Sequence, residues 1–343
     1  MPPSASNSTK KTAIGAAIDL CCGLGGLSIA AQRCGIEPIL GLDINNAALK
    51  TYLSAFPGAS IIEGDISEQS ILDQSRAVAT KNNSDKVPLY IFSGPPCQGF
   101  SVAGPRDPLD PRNRVITAVS KAIVNLQPEA AIIENVPSIL SPRNSKRLAS
   151  VLNPLFKGGY SVLRIILNAQ TYGVPQRRRR AFLIITRKKI SEVEFRKNLT
   201  KYQKPEITVE EAFKGLGRPP VRLKNRQKAR LVVGTPSNHI AMRHSKEVRA
   251  KIAALGPGEG PLSYRRLRLD KPAQTLISGH RAPPAHPTQA RSITVREAAR
   301  LQGFPDEFQI YGNFGVQLQQ VTNAVPPPLA ESVIRALLDT VKQ

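Results

Sequence analysis

A cysteine in an unusual setting is the most reactive feature of the chain. Cys97 stands in Gly94-Pro95-Pro96-Cys97-Gln98-Gly99-Phe100-Ser101, where two prolines fix the backbone just ahead of the thiol. A thiolate is a soft nucleophile, suited to conjugate addition to an electron-poor ring. Such an addition needs a proton or a hydrogen bond at the ring nitrogen as charge builds there. Glu134, in Glu134-Asn135-Val136-Pro137, offers a carboxyl group for that purpose. Gln176-Arg177-Arg178-Arg179-Arg180 offers guanidinium groups for a ring carbonyl. Taken alone, each feature has a plainer reading. Most free cysteines are small buried apolar side chains, and a run of arginines is commonly a solvated face.

A second set of residues suits ligand binding. Asp19 leads into a turn, Gly23-Leu24-Gly25-Gly26, that opens a helical pattern. Glycines let a ligand approach the backbone and leave helix N–H groups free. The turn is neither a Gly-x-Gly-x-x-Gly fingerprint nor a phosphate loop, since no Gly-Lys-Ser follows. It suits a nucleoside without a diphosphate. Asp43 is positioned to accept bonds from ribose hydroxyls, and Asp65 from an adenine amino group. An Asp at a strand end, taken alone, is more often a helix cap. All of them at successive strand ends are harder to dismiss.

The elements that must carry these residues are legible as apolar runs. Strands are expected at 16–20, 38–42, 60–62, 89–93, 130–133, 160–168 and 181–186. Helices are expected at 27–33, 45–55, 114–126, 144–156, 294–302 and 329–342, with a helix and a polar connection in 66–87. Buried strands alternating with helices argue an α/β, doubly wound, mostly parallel sheet. Ligands bind such sheets outside the carboxyl ends of the strands, where Cys97, Glu134 and the acids fall. On a strand, Arg178 and Arg180 share one face.

Charge divides the chain. The net charge is +23 over 343 residues, and 187–290 alone carries 23 Lys/Arg against 8 Asp/Glu. That excess favours a polyanion, with a solubility device or a lipid-binding patch as the competing readings. Few aromatics and no amphipathic anchor favour nucleic acid. We therefore expect a basic disordered tail at 1–12, not a signal peptide. A catalytic and cofactor-binding domain is expected at 13–186. A smaller basic domain of irregular or β-rich character follows at 187–290, and 291–343 returns to complete the first domain. Islands such as Leu231-Val232-Val233 and Thr275-Leu276-Ile277 argue against 187–290 being a disordered linker. The four cysteines, Cys21, Cys22, Cys34 and Cys97, give no disulfide framework, so a reducing compartment is expected. The four histidines lie far from them in sequence, so no metal site is expected.

Together these blocks resemble the cytosine-5 DNA methyltransferase family, whose members use S-adenosylmethionine. The matching stretches are DLCCGLGGLS (19–28), LGLDIN (41–46), EGDI (63–66), GPPCQGFS (94–101), ENV (134–136), VPQRRRR (174–180), RSITVREAARLQGFPDEF (291–308) and QVTNAVPPPLA (320–330). The resemblance implies a class I, Rossmann-like methyltransferase fold with a target recognition domain at 187–290. It implies that Cys97 attacks C6 of a flipped cytosine and that Glu134 holds N3 and the exocyclic amine. Arg178 would contact the base carbonyl and Arg180 would lie at the active site. It implies cofactor contacts from Asp19, Cys21, Gly23, Leu24, Gly25, Gly26, Asp43, Ile44, Asp65, Ile66, Pro95, Asn323 and Val325. The loop carrying Gln98, Gly99, Ser101 and Arg112 would close over the DNA. Three positions depart from the family pattern: Cys21 for the usual Phe, Arg179 for Glu, and Thr322 for Gly.

The implied activity is methylation of a specific duplex DNA word by a monomer in the cytoplasm, associated with the nucleoid. The setting would be restriction–modification, with a cognate endonuclease, or an orphan enzyme. A tRNA cytosine-5 methyltransferase and a catalytically silent DNA-binding relative are the alternatives. Arg296 and Glu297 are expected to brace the domain junction. Base-reading residues within 187–290 are not distinguished by sequence.

Overall fold

A computed structural model describes residues 13–96, 112–221, 234–261, 264–277 and 283–341. The tail at 1–12 and the loop containing Cys97 lie outside the described residues. The strands are β1 (Gly15–Leu20), β2 (Ile36–Asp43), β3 (Ser60–Glu63), β4 (Leu89–Ser93), β5 (Ala130–Asn135), β6 (Ser161–Asn168), β7 (Gln176–Arg177), β8 (Arg179–Thr186) and β9 (Ala273–Gln274). The helices are α1 (Gly26–Arg33), α2 (Asn46–Ala55), α3 (Gln69–Asn82), α4 (Arg112–Leu126), α5 (Ser145–Lys157), α6 (Glu192–Thr200), α7 (Val209–Phe213), α8 (Lys246–Ala253), α9 (Val295–Leu301), α10 (Phe314–Asn323) and α11 (Pro327–Val341).

Seven strands form one sheet in the order β3-β2-β1-β4-β5-β8-β6. β1 to β5 are parallel, and β8 runs antiparallel to both β5 and β6. The doubly wound, mostly parallel architecture expected from the sequence is the one observed. Successive residues of the central strands enter opposite cores, as the two-residue period of a strand demands. Ile18, Ile91 and Ile133 face α3, α4 and α5. Ala17, Phe92 and Ile132 face α1, α6 and α11. Strand order reverses between β1 and β4, so a crevice opens at their carboxyl ends.

α11 packs against α1 beneath the sheet, with Leu329, Val333 and Ile334 in the same core as Leu27 and Ala30. A third core joins Leu24, Tyr52 and Phe56 to Leu276, Ile293, Leu301 and Phe304. It cements the glycine turn to the basic segment and the late block.

Among the described residues of the basic segment the regular elements are α6, α7 and α8, and the strand content is β9 with short bridges, an irregular arrangement. The core beneath the sheet also takes in residues beyond Thr186. Phe195 and Leu199 of α6 are buried in the core under α11. Asn198 donates to Thr340 Oγ1 at 3.0 Å and Tyr202 to Asp339 at 2.8 Å.

Candidate active site

The glycine turn is shaped by close packing on one side and space on the other. A side-chain carbon on Gly26 would come within 2.1 Å of the Val325 carbonyl oxygen. One on Gly25 would strike Phe56 at 2.6 Å, and Gly25 has φ +87° in any case. Gly23, at φ +54°, faces open space. Its N–H donates to Asp43 Oδ2 at 2.8 Å, while the Asn45 N–H donates to Oδ1 at 2.9 Å. Burial raises the Asp43 carboxyl above its usual range, and these backbone bonds pull it back. Ile44, beside it, is 71% exposed, an apolar side chain held out at a strand tip. Asp65 caps the next tip, accepting from the Ser67 N–H at 2.9 Å. Ile66 is buried behind it.

Asp19 is the most perturbed acid of the crevice. It is buried and accepts a bond from Ser28 Oγ at 2.7 Å, and Ser28 Oγ also meets the Tyr52 hydroxyl at 2.9 Å. Its other oxygen, Oδ1, is buried without a partner. Burial drives its pKa up to about 7, against the Ser28 bond. Cys21 follows with φ +60°, a left-handed conformation rare for a residue with a side chain. Burial, then Asp43 and Asp19, push its thiol up, so it stays protonated at neutral pH.

The second half of the crevice lies at the tips of β4 and β5. Asn135 Nδ2 donates to the Pro95 carbonyl at 3.2 Å, tying the Pro95-Pro96 turn to the residue after Glu134. Val325 lies at the same tip, its Cγ2 3.4 Å from where a Gly94 side chain would begin. Glu134 is buried and pairs with Arg180 Nε at 2.9 Å. Burial raises the Glu134 pKa, outweighing the pull of Arg180 and then Arg178. An acid so placed holds a proton to higher pH than an exposed carboxylate, so it has one to share in a hydrogen bond or to donate.

The arginines alternate. Arg177 and Arg179 are exposed, while Arg178 is buried and Arg180 mostly so. Arg178 donates to the Leu276 carbonyl at 3.4 Å and the Ala324 carbonyl at 3.2 Å. It therefore touches the basic segment and the late block at once. Gln176 does the same, donating to the Leu301 carbonyl at 3.1 Å and to Gln302 Oε1 at 2.9 Å, and accepting from the Leu276 N–H at 2.9 Å. Sequence reasoning did not assign this amide pair, nor Ser28 and Tyr52. Gln176 and Ser28 stood inside quoted blocks, but amides and hydroxyls carry no spacing signal. Arg296 holds the Ser237 and Pro305 carbonyls at 2.9 and 2.6 Å, and Arg291 forks Glu297 at 2.8 and 2.7 Å. Both Arg296 and Glu297 thus brace the junction.

The crevice therefore gathers Asp19, Cys21, the turn at 23–26, Asp43, Ile44, Asp65, Ile66, Pro95, Val325, Glu134, Arg178 and Arg180 along one edge of the sheet. Asn323 ends α10 and is exposed, two residues before Val325. Cys97, Gln98, Gly99 and Ser101 lie outside the described residues, and Arg112 is described only as the backbone start of α4. Thr322 is buried in α10 with its hydroxyl on the Gln319 carbonyl at 3.1 Å. Among the described residues no cluster of His, Cys, Asp and Glu could hold a metal.

The chain is similar to known proteins. Residues 15–339 match the family described as C-5 cytosine-specific DNA methylase. The chain is 33% identical to the Type II methyltransferase M1.HphI of Haemophilus parahaemolyticus, over 94% of this chain and 86% of the relative. It is 30% identical to the Type II methyltransferase M.DdeI of Desulfomicrobium norvegicum, over 92% and 86%. A crystal structure described as a candidate DNA modification methyltransferase encoded within an E. coli prophage superposes with a TM-score of 0.77. That chain is 28% identical, with 96% of this chain and 99% of the other covered. The match runs from the first strand into the last helix and takes in every tip of the crevice: the chain belongs to the C-5 cytosine-specific DNA methylase family, and is a DNA (cytosine-5-)-methyltransferase.

Proposed function

We propose that this enzyme methylates C5 of a flipped cytosine in a specific duplex DNA word, through a covalent bond between Cys97 and C6. The observation that carries the reading is the join between strand tips. The Asn135–Pro95 bond ties the Pro95-Pro96 turn, which immediately precedes Cys97 in the chain, to the residue after Glu134, and Glu134 is buried and paired with Arg180. Cys97 Sγ would add to C6 as a thiolate. Glu134, with its raised pKa, would supply the hydrogen bond or proton at N3 that absorbs the charge. Arg180 orients that carboxyl group, and Arg178 is the guanidinium proposed for the base carbonyl. Once C5 carries the methyl group, its proton leaves to a base, the C5–H electron pair re-forms the C5=C6 bond, and the C6–S bond breaks to return Cys97 as a thiolate.

The crevice fits S-adenosylmethionine on its own features. The unpartnered Asp19 Oδ1 suits an ammonium group. The open space at Gly23 and the exposed Ile44 beside Asp43 suit a nucleoside, with Asp43 for ribose and Asp65 for adenine. When bound, that cofactor supplies an electrophilic methyl group. Segment 187–290 is proposed as the DNA recognition region, from its charge and from β9 lying against the arginine strand. A Type II restriction–modification setting, with an endonuclease acting on the same word, is proposed from the curated relatives. A monomer is proposed.

The test uses the methylome of a host expressing the protein to find the word. A duplex with 5-fluorocytosine at the target then traps the enzyme, because fluorine cannot leave as a proton does. Wild type should form an adduct stable to denaturation, and Cys97→Ser should form none and lose turnover by orders of magnitude. Adduct formation or turnover by the serine variant would overturn the nucleophile assignment.

A further inference from the structure

We propose that Arg265 and Gln274 form a donor-only reader that selects a guanine in the target word. The proposal rests on the DNA reading above. The two side chains line a cavity of about 440 Å³ in the basic segment, together with Arg177 and Lys271. Arg265 is fixed at two points, by Nε to the Gly260 carbonyl at 3.1 Å and by Nη1 to Gln274 Oε1 at 3.1 Å. An arginine has donors only, so the amide must turn its oxygen to Arg265 and its Nε2 hydrogens away. Among the described residues the pair is left with unpartnered donors, Arg265 Nη2 and Gln274 Nε2, while its one acceptor oxygen already holds a donor.

That inventory chooses a base. In the major groove guanine offers two acceptors, O6 and N7, whereas adenine and cytosine each present an amino donor. A glutamine with a free oxygen could grip adenine, but here that oxygen is engaged by Arg265. Glu259, the carboxylate at the cavity wall, has its Oε2 on the Gly256 N–H at 2.9 Å, within its own turn. Arg268 is forked by Asp270 at 3.0 and 2.8 Å, which cancels its charge. Arg177 and Lys271 have no ion pair among the described residues, which leaves them for phosphates.

The location ties the reader to the chemistry. Gln274 pairs with Arg177 in the two-stranded ribbon β7–β9, and Thr275 Oγ1 donates to the Arg177 carbonyl at 2.5 Å. Arg178 comes next in the chain, then the strand whose Arg180 holds Glu134. The guanine should therefore lie within a few base pairs of the target cytosine, at about 3.4 Å per step.

The experiment avoids dependence on methyl transfer. Duplexes bound by the full-length protein are selected from a randomised pool at fixed salt, which gives the recognised word. Each guanine in that word is then replaced in turn by 7-deazaguanine, which lacks the N7 acceptor, and binding is measured by competition. One replacement should weaken wild-type binding about tenfold, in line with a lost base contact. Arg265→Ala and the milder Arg265→Lys should bind natural DNA more weakly and show no further loss at that guanine. The proposal is overturned by indifference to every replacement, or by a replacement cost that survives in both variants. Failure of Cys97 to form its adduct would be seen separately and would leave this binding result intact.

Discussion

At neutral pH the Asp19 carboxyl group sits close to its own midpoint, because burial has moved it up to about 7. Its folded-state pKa lies above the ordinary carboxyl value of 3.8, so the folded protein holds a proton that the unfolded chain releases. The resulting stability is full below pH about 4 and is lost as pH rises through about 7. Asparagine imitates the protonated acid, since it can still accept from Ser28. Asp19→Asn should therefore raise the melting temperature of the cofactor-free protein at pH 8, by an amount worth about 2–4 kcal/mol, and change little at pH 4. The same variant should bind S-adenosylmethionine more weakly, because a charge meant for an ammonium is gone. Calorimetry at both pH values, with and without cofactor, checks both effects. Equal melting shifts at pH 4 and pH 8 would mean Asp19 is not titrating in this range.

At the scale of elements, the short ribbon β7–β9 and the amides behind it hold the crevice closed on its basic side. Gln302 is fully buried, donating to the Val321 carbonyl at 2.8 Å and accepting from Gln176 at 2.9 Å. Gln302→Leu fills similar space but leaves the Val321 carbonyl only the 3.3 Å bond from the Ala324 N–H and removes the acceptor that Gln176 Nε2 uses, at a cost of about 1–3 kcal/mol. The urea midpoint should fall with an unchanged slope, and a variant as stable as wild type would show that water or a neighbour replaces the amide. The strands that carry this ribbon's neighbours were legible because each is an apolar run bounded by turns. Observed strand limits differ from expectation by two residues or fewer at each end. The helices of the basic segment were not legible, since α6 reads EVEFRKNLT and buries little beyond Phe195 and Leu199. Their starts did carry a signal: Thr208 and Glu211 form a capping box, and Ser191 and Ser245 cap their helices. Positions of the acids at strand tips could be read from the pattern. The Glu134–Arg180 pairing and the Gln176–Gln302 hub could not, because contacts between residues far apart in sequence leave no local trace.

Over the whole molecule, the sheet and the basic segment are joined through a junction that titrates against the crevice. His239 is buried, its Nε2 on the Gly217 carbonyl at 2.9 Å and its Nδ1 on Thr294 Oγ1 at 3.0 Å. His286 accepts the Thr288 and Gln289 N–H groups on Nδ1, at 3.2 and 3.1 Å. Burial lowers both rings, His286 to about 4 and against the pull of Glu297, while Arg291 and Arg266 push it the same way as burial. Here the unfolded chain binds the extra proton, so stability is present above pH 6.5 and is lost as pH falls through about 4. That slope opposes the one set by Asp19. Between pH 7 and pH 4 acid relieves the crevice while it loads the junction. The lowered pKa values of Glu297 and Asp306, held by Arg291 and Arg300, add to the acid loss at the junction. Net acid sensitivity should therefore originate where 187–290 meets the late block. His286→Asn keeps an acceptor for the two N–H groups and removes the titration. It should flatten the fall in melting temperature from pH 6.5 to pH 4 by the equivalent of about 1–3 kcal/mol, with hydrogen exchange at pH 5 slowed first around Thr288 and Thr294. An unchanged pH profile in that variant would place the acid-labile contact elsewhere, because no other group on the His286 ring would remain to take up the proton.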